Sequence, residues 1–272
     1  MKALKAGLVG TMALAMTSCN LGNHTWEFQS SVPNLSDVTK LDLATFNGEI
    51  KIRRGSNPEL IIGYKRRDFL PTIERVGTTL KIHEKSSFMC FECANSIEIV
   101  LPAALEAQIE STNGNVEIER QMNNLLINTT NGSVFVKDAL ETTVATINGN
   151  VELENITGNL NVETTNGSVQ AKTIQGKLEI DTINGQVTIQ NAILPSNSSN
   201  TISTNNDDIR LQNINTQDGF VVRGSSNNGT LEFNLKGFSL RMSQDNFVAT
   251  RVGQATSNLT LSSNNGSVQV NP

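Results

Sequence analysis

Between Ala107 and Ile193 the chain repeats one short pattern of apolar and polar positions. Aligned on an asparagine, apolar residues stand four before it at Ile109, Ile127, Val144, Val162 and Ile180. They stand three after it at Val116, Val134, Val151, Val169 and Val187, and five after it at Ile118, Val136, Leu153, Ala171 and Ile189. A mostly apolar position six before it holds Ala107, Leu125, Thr142, Leu160 and Leu178. A further one falls at Met122, Leu140, Ile156 and Ile174. Strict alternation of this kind predicts short strands with one apolar face. No helical period survives after the first residues.

The asparagines carry a glycine: Asn113-Gly114, Asn131-Gly132, Asn148-Gly149, Asn166-Gly167 and Asn184-Gly185, at spacings of 18, 17, 18 and 18. The repeat then loosens through Asn206-Asp207, Asn228-Gly229, Asn246-Phe247 and Asn265-Gly266. A divergent copy, Asn47-Gly48, lies near the start. A Ser/Thr column stands two before the asparagine, at Ser111, Thr129, Thr146, Thr164 and Thr182.

Two all-β folds accommodate this pattern: an antiparallel meander of hairpins, for which Asn-Gly is a strong turn signal, and a β-solenoid with coils of about 18 residues. The kept polar columns separate them. In a solenoid, equivalent residues lie about 4.8 Å apart and can bond as ladders. In a meander they lie about twice as far apart and cannot touch. The pattern therefore predicts a β-solenoid, with each glycine taking a positive φ at its corner. It also predicts that Asp207 and Phe247 mark imperfect corners, and that the final strand, in Gly266–Pro272, leaves an open edge.

The stretches "LATFNGEIKI" (Leu43–Ile52) and "SIEIVLPAALEAQIESTNGNVEI" (Ser96–Ile118), with the coils that follow, resemble the bacterial putative-adhesin β-repeat family known as domain of unknown function 4097, related to the GIN head domains. The resemblance runs from about Val38 to the end. It implies a right-handed parallel β-helix-like solenoid, a place in the cell envelope and no catalytic residues to carry over. Residues 36–105 then read as divergent coils and a cap, and residues 106–272 as the regular solenoid.

The first residues belong to no strand. Lys2 and Lys5 precede an apolar run from Ala6 to Met16, too short to cross a bilayer, and the segment reads as a secretory signal over residues 1–18. Met16-Thr17-Ser18-Cys19 resembles a bacterial lipobox, so Cys19 is the expected lipidation site and residues 19–35 a tether. Lipid at Cys19 would hold the protein to a membrane without a spanning helix. Asn20 is not the aspartate of the inner-membrane retention pattern, which favours an outer membrane.

Of the 21 basic residues, cleavage would remove Lys2 and Lys5, leaving 19 against 26 acidic. With aromatics at 4%, that balance argues against a nucleic-acid binder. Cys90 and Cys93 remain after Cys19. A small structural disulfide, a free pair, a redox motif and a metal site all stay open, the disulfide favoured by export. A thiol redox motif would need a following helix, and a zinc site would need more ligands than His24 and His83 add.

Carboxylates do not cluster. The outward column three before the asparagine reads Glu110, Asn128, Ala145, Glu163 and Asp181, and the column four after it Glu117, Phe135, Glu152, Gln170 and Thr188. No nucleophile motif, phosphate loop or calcium repeat is present, so no cofactor or metal is expected. One charge asymmetry stands out: Lys51, Arg53, Arg54, Lys65, Arg66, Arg67, Arg75, Lys81 and Lys85 fall within residues 51–85, a candidate contact for anionic lipid or lipopolysaccharide. The sequence thus points to a non-enzymatic envelope lipoprotein, an adhesin or interaction scaffold for an envelope protein or glycan. The alternatives are an envelope-stress accessory protein and a carbohydrate-active β-helix enzyme.

Overall fold

The computed structural model describes residues 27–30, 35–64, 70–84, 95–102, 104–216, 219–253 and 257–272. Its strands in chain order begin with β1 (Glu27–Ser30), β2 (Lys40–Thr45), β3 (Ile50–Arg54), β4 (Glu59–Tyr64), β5 (Thr72–Val76), β6 (Thr79–His83), β7 (Asn95–Leu101) and β8 (Leu105–Ser111). There follow β9 (Val116–Thr129), β10 (Val134–Thr146), β11 (Val151–Ile156), β12 (Leu160–Thr164), β13 (Val169–Gln175), β14 (Leu178–Thr182), β15 (Val187–Leu194) and β16 (Ser199–Thr204). The last are β17 (Ile209–Thr216), β18 (Phe220–Ser226), β19 (Leu231–Phe233), β20 (Ser239–Met242), β21 (Asn246–Arg251), β22 (Ser257–Ser263) and β23 (Val268–Asn271). A 3-10 turn, Leu35–Asp37, precedes the coils.

The body is a parallel solenoid. Each coil runs along a first face, turns at the Asn-Gly corner, runs along a second face, bends again and returns. Equivalent residues stack directly: Val116, Val134, Val151, Val169, Val187 and Ile209 are consecutive partners on the second face. Ile109, Ile127, Val144, Val162, Ile180 and Ile202 do the same on the first. All are 1% exposed or less, so alternation places every second side chain in one continuous core. Burying a Val, Leu or Ile contributes about 1.5–3 kcal/mol. A lone coil would leave these side chains open above and below, so the stabilisation exists only in the stack. The antiparallel meander is excluded for the body.

The second bend differs from the sequence reading. The column Met122, Ala139, Ile156, Ile174, Ala192 and Ile214 faces inward, so Ala139, not Leu140, occupies the apolar position. The register slips between Lys137 and Ala139 because Asp138 takes a left-handed conformation, φ 62°. Asn155, Thr173, Asn191 and Asn213 repeat it at φ 53–58°. At this bend, then, positive φ is taken by Asp, Asn and Thr and not by a corner glycine.

Neither end follows chain order. At the start, the coil β2–β3 lies between the coil β6–β7 and the coil β8–β9: Leu41 is paired with both Leu80 and Ala107, and Ile50 with both Ile97 and Val116. At the other end, the final coil β22–β23 lies between β16–β17 and β18–β19. The chain runs out to β18–β19, turns back through the antiparallel hairpin β20–β21, and only then fills the gap. The expectation of an open edge at the C-terminus is therefore overturned: Val268 and Val270 are fully buried between β17 and β19. Asn246 is no corner either. It starts β21, and Phe247 is buried against Phe233, ring centroids 5.3 Å apart, over the backbone of Gly224. Among the described residues antiparallel pairing is confined to these caps: β21 and β20 beyond β18, β5 beyond β6, and β4 and β1 beyond β7.

Candidate functional site

The Asn-Gly corners form one line along the rod. In spatial order, Asn47, Asn113, Asn131, Asn148, Asn166, Asn184, Asn206, Asn265 and Asn228 are joined by side-chain amide bonds. Each Nδ2 donates to the Oδ1 of the preceding coil at 2.6–2.8 Å. The ladder includes the divergent Asn47 and skips Asn246. Beneath it the Ser/Thr column is buried, with Thr129, Thr146 and Thr164 each 6% exposed. These hydroxyls accept from the corner glycine N–H, as at Gly149 to Thr146 (3.1 Å) and Gly167 to Thr164 (3.2 Å). Farther on, Thr204 and Ser263 donate to carbonyls of the neighbouring coil, those of Gly185 and Asp207. Buried hydroxyls thereby satisfy backbone groups that the bend frees.

The corner glycines do not take a positive φ; Gly114, Gly132, Gly149, Gly167 and Gly185 lie outside that region. They are glycines because of close approach. A Cβ at Gly132, Gly149, Gly167 or Gly185 would stand 1.9 Å from the carbonyl oxygen of the glycine one coil away, and at Gly114 1.7 Å. The expected role of the glycine is corrected accordingly.

Beside this line runs a furrow. One wall is the outward column of the first face: Ala44, Glu110, Asn128, Ala145, Glu163, Asp181 and Ser203, consecutive in register. The other is the corner column of Phe46, Thr112, Thr130, Ile147, Thr165 and Ile183, and the Ser/Thr column makes the floor. Two open depressions of about 410 and 640 Å³ share Asn128 and Thr129, so the furrow is continuous from Glu84 to Ser203. Ile147 and Ile183 are 48% and 47% exposed on its rim, two coils apart. At its N-terminal end Glu84 accepts from the Phe46 and Asn47 N–H groups and from Asn95 Nδ2 (2.7 Å), closing the asparagine line with a carboxylate. In sequence the furrow's carboxylates, Glu110, Glu163 and Asp181, read only as members of an outward column that does not cluster. The signal that could have found the furrow is the polar column three before the asparagine, read together with its neighbour two residues on.

Among the described residues no three His, Cys, Asp or Glu side chains are grouped to hold a metal ion. His83 stands 2.9 Å from Asp42, which also lies 3.8 Å from Lys81. The basic stretch is interleaved with acids. Lys51 pairs with Glu49 and Glu117, Arg53 with Glu98, Glu117 and Glu119, and Arg75 with Asp37. Burial disfavours the Lys51 charge, but the hydrogen bond and charge of Glu49 and those of Glu117 outweigh it and hold its pKa above the ordinary lysine value. The hydrogen bond from Arg75 holds the Asp37 carboxyl below its usual range. Arg54 is exposed, while Lys65, Arg66, Arg67 and Lys85 lie outside the described residues. So do Cys19, Cys90, Cys93 and His24.

The family model Toastrack DUF4097 matches residues 38–271. The chain belongs to this family. The match runs from just after the 3-10 turn to the end of β23 and so takes in every described strand but β1. Comparison with curated proteins finds no match. Solved structures similar to this Toastrack chain include a "putative adhesin" from Bacteroides fragilis, 13% identical, covering 91% of this chain and 97% of that one, TM-score 0.46. A "putative lipid binding protein" from Parabacteroides distasonis is 13% identical over 91% and 97%, TM-score 0.47. A "putative cell adhesion protein" from Clostridium sporogenes is 14% identical over 91% and 99%, TM-score 0.28. No helix among the described residues is long and apolar enough to cross a membrane.

Proposed function

We propose that this Toastrack protein is a non-enzymatic cell-envelope adhesin or scaffold that holds an extended glycan strand along its furrow. The continuity of the furrow carries the reading. It is open along its length, and every coil offers a polar or small side chain, from Glu110 to Ser203, at the coil spacing of about 4.8 Å. An unbranched polymer can therefore meet an equivalent contact at each step, and many weak contacts add along one chain. Exposed Ile147 and Ile183 offer apolar rests for sugar ring faces in a chain with few aromatics. Lipid at Cys19 would tether the rod to the outer membrane and leave the furrow accessible.

Binding of purified envelope polysaccharides to the full-length chain, measured by calorimetry, tests the reading. Glu163 and Asn128 line the furrow and are exposed, so Glu163→Lys with Asn128→Lys is expected to weaken binding at least tenfold without changing thermal stability. A chain that binds no polysaccharide, or a double variant that binds as well as wild type, defeats the reading. Release of reducing ends during incubation would favour the enzyme instead.

A further inference from the structure

The two ends of the rod are stepped in opposite senses. At the C-terminal end the first face runs two strands beyond the last full coil, through β21 and β20, whereas the second face stops at β19. At the N-terminal end the first face adds only β5 beyond the coil β6–β7, whereas the second adds β4 and β1. Where one end projects the other is cut back, to within one strand.

The outermost strands of the first face, β20 at one end and β5 at the other, are open edges of matching chemistry. All four residues of β20 are exposed, and β5 holds no buried residue. Neither "SLRM" nor "TIERV" carries the proline or lysine that commonly blunts an edge. On β20, Leu240 and Met242 sit opposite buried Ala249 and Phe247, hence on the core side, yet they are 41% and 53% exposed because no described strand lies beyond them. Arg241 is on the outer side. On β5, Ile73 sits opposite buried Ile82 on the core side, at 39% exposure, and Glu74 is on the outer side opposite Lys81. Neither Arg241 nor Glu74 has an ion-pair partner among the described residues.

We infer that β20 of one molecule pairs with β5 of a second copy, joining Toastrack rods head to tail. Strand direction requires an antiparallel pair. β5 runs against the first-face strands, and β20, twice reversed from β18, runs with them. Setting Arg241 opposite Glu74 places Met242 opposite Ile73 and the Leu240 side chain over the stem of Arg75. Charges then meet on the outer side, and on the core side Met242 meets Ile73 while Leu240 covers the stem of Arg75, whose charge is held by Asp37. A slip by one residue would put Arg241 on the wrong face. Tail-to-tail pairing of two β20 strands centred on Arg241 would oppose like charges. A head-to-tail contact does not close on itself, so it yields linear chains of rods, and the furrow of each would follow that of the next. The inference rests on the ends of the rod and stands whether or not the furrow binds glycan.

Sedimentation velocity over a concentration series of the full-length, unlipidated chain tests it. Wild type is expected to give a series of lengthening species. Arg241→Glu and Glu74→Arg should each weaken association about tenfold by opposing like charges, with melting temperature unchanged because both residues are exposed. An equimolar mixture of the two variants should recover wild-type assembly, since each mixed joint again pairs opposite charges. Wild type that stays monomeric, assembly that stops at a closed dimer, or variants that assemble as well as wild type would each overturn the inference.

Discussion

Replacing Gly149 with alanine separates two explanations of the Asn-Gly corner. In the folded rod the new methyl carbon would stand 1.9 Å from the Gly132 carbonyl oxygen, 2.8 Å from its carbon and 2.9 Å from Thr146 Oγ1, whereas ordinary contact begins at 3.4 Å. The corner must retreat by about 1.5 Å, the difference between 3.4 and 1.9 Å. That stretches the 2.7 Å bond from Asn148 Nδ2 to Asn131 and the 2.8 Å bond from Asn148 N to Thr130 O. Overpacking of this kind costs about 1–3 kcal/mol, and two weakened hydrogen bonds add about 1 kcal/mol each. The expected loss is about 3–5 kcal/mol in urea unfolding followed by far-ultraviolet circular dichroism. Were a left-handed φ the only reason for glycine, alanine would cost about 1–2 kcal/mol, and asparagine, which tolerates that region, less still. Gly237 provides the comparison, with φ 82° and no atom within 4 Å of an added Cβ; Gly237→Ala should show that smaller cost. A loss at Gly149→Ala no larger than at Gly237→Ala, or a Gly149→Asn variant more stable than Gly149→Ala, would refute close approach as the cause.

Two further outcomes follow from the coil order and the ion pairs. Deleting residues 257–272 removes a coil from inside the stack and leaves β18–β19 without its neighbour. Limited proteolysis of the truncated chain should therefore cut throughout residues 220–253 while sparing residues 105–194, and protection of both would contradict the order. Lys51 has a raised pKa in the fold, so its ion pairs contribute stability that is complete below the ordinary lysine value of 10.5 and lost as pH climbs through the higher folded value. Melting temperature should accordingly fall at strongly alkaline pH, and less so in Glu117→Gln. Asp37 behaves in the opposite sense, since its folded pKa lies below 3.8. Arg75→Gln should bring its carboxyl titration, followed by NMR, back up toward that value.

The repetition of one coil pattern was enough to set the regular body. Alternation at Ile109, Val116 and Ile118 defined an apolar face, and the kept columns at Asn131 and Thr129 made sense only if coils stack, because polar side chains repeat in line where they can bond their equivalents. Local pattern therefore determined strand, corner and parallel register. It could not tell why glycine follows asparagine, because a bend in φ and a neighbour's carbonyl oxygen 1.9 Å away demand the same residue. Nor could it tell Ala139 from Leu140, since one left-handed aspartate shifts the inward position by one. The order of the coils lay further beyond it. The strands of residues 40–54 and 257–271 read as a divergent first coil and a last coil, yet neither ends the stack: each is inserted between two other coils. Any coil with the same inward pattern fits any gap in the stack, so sequence fixes what a coil is, and only the closing of the two caps decides where the terminal coils go.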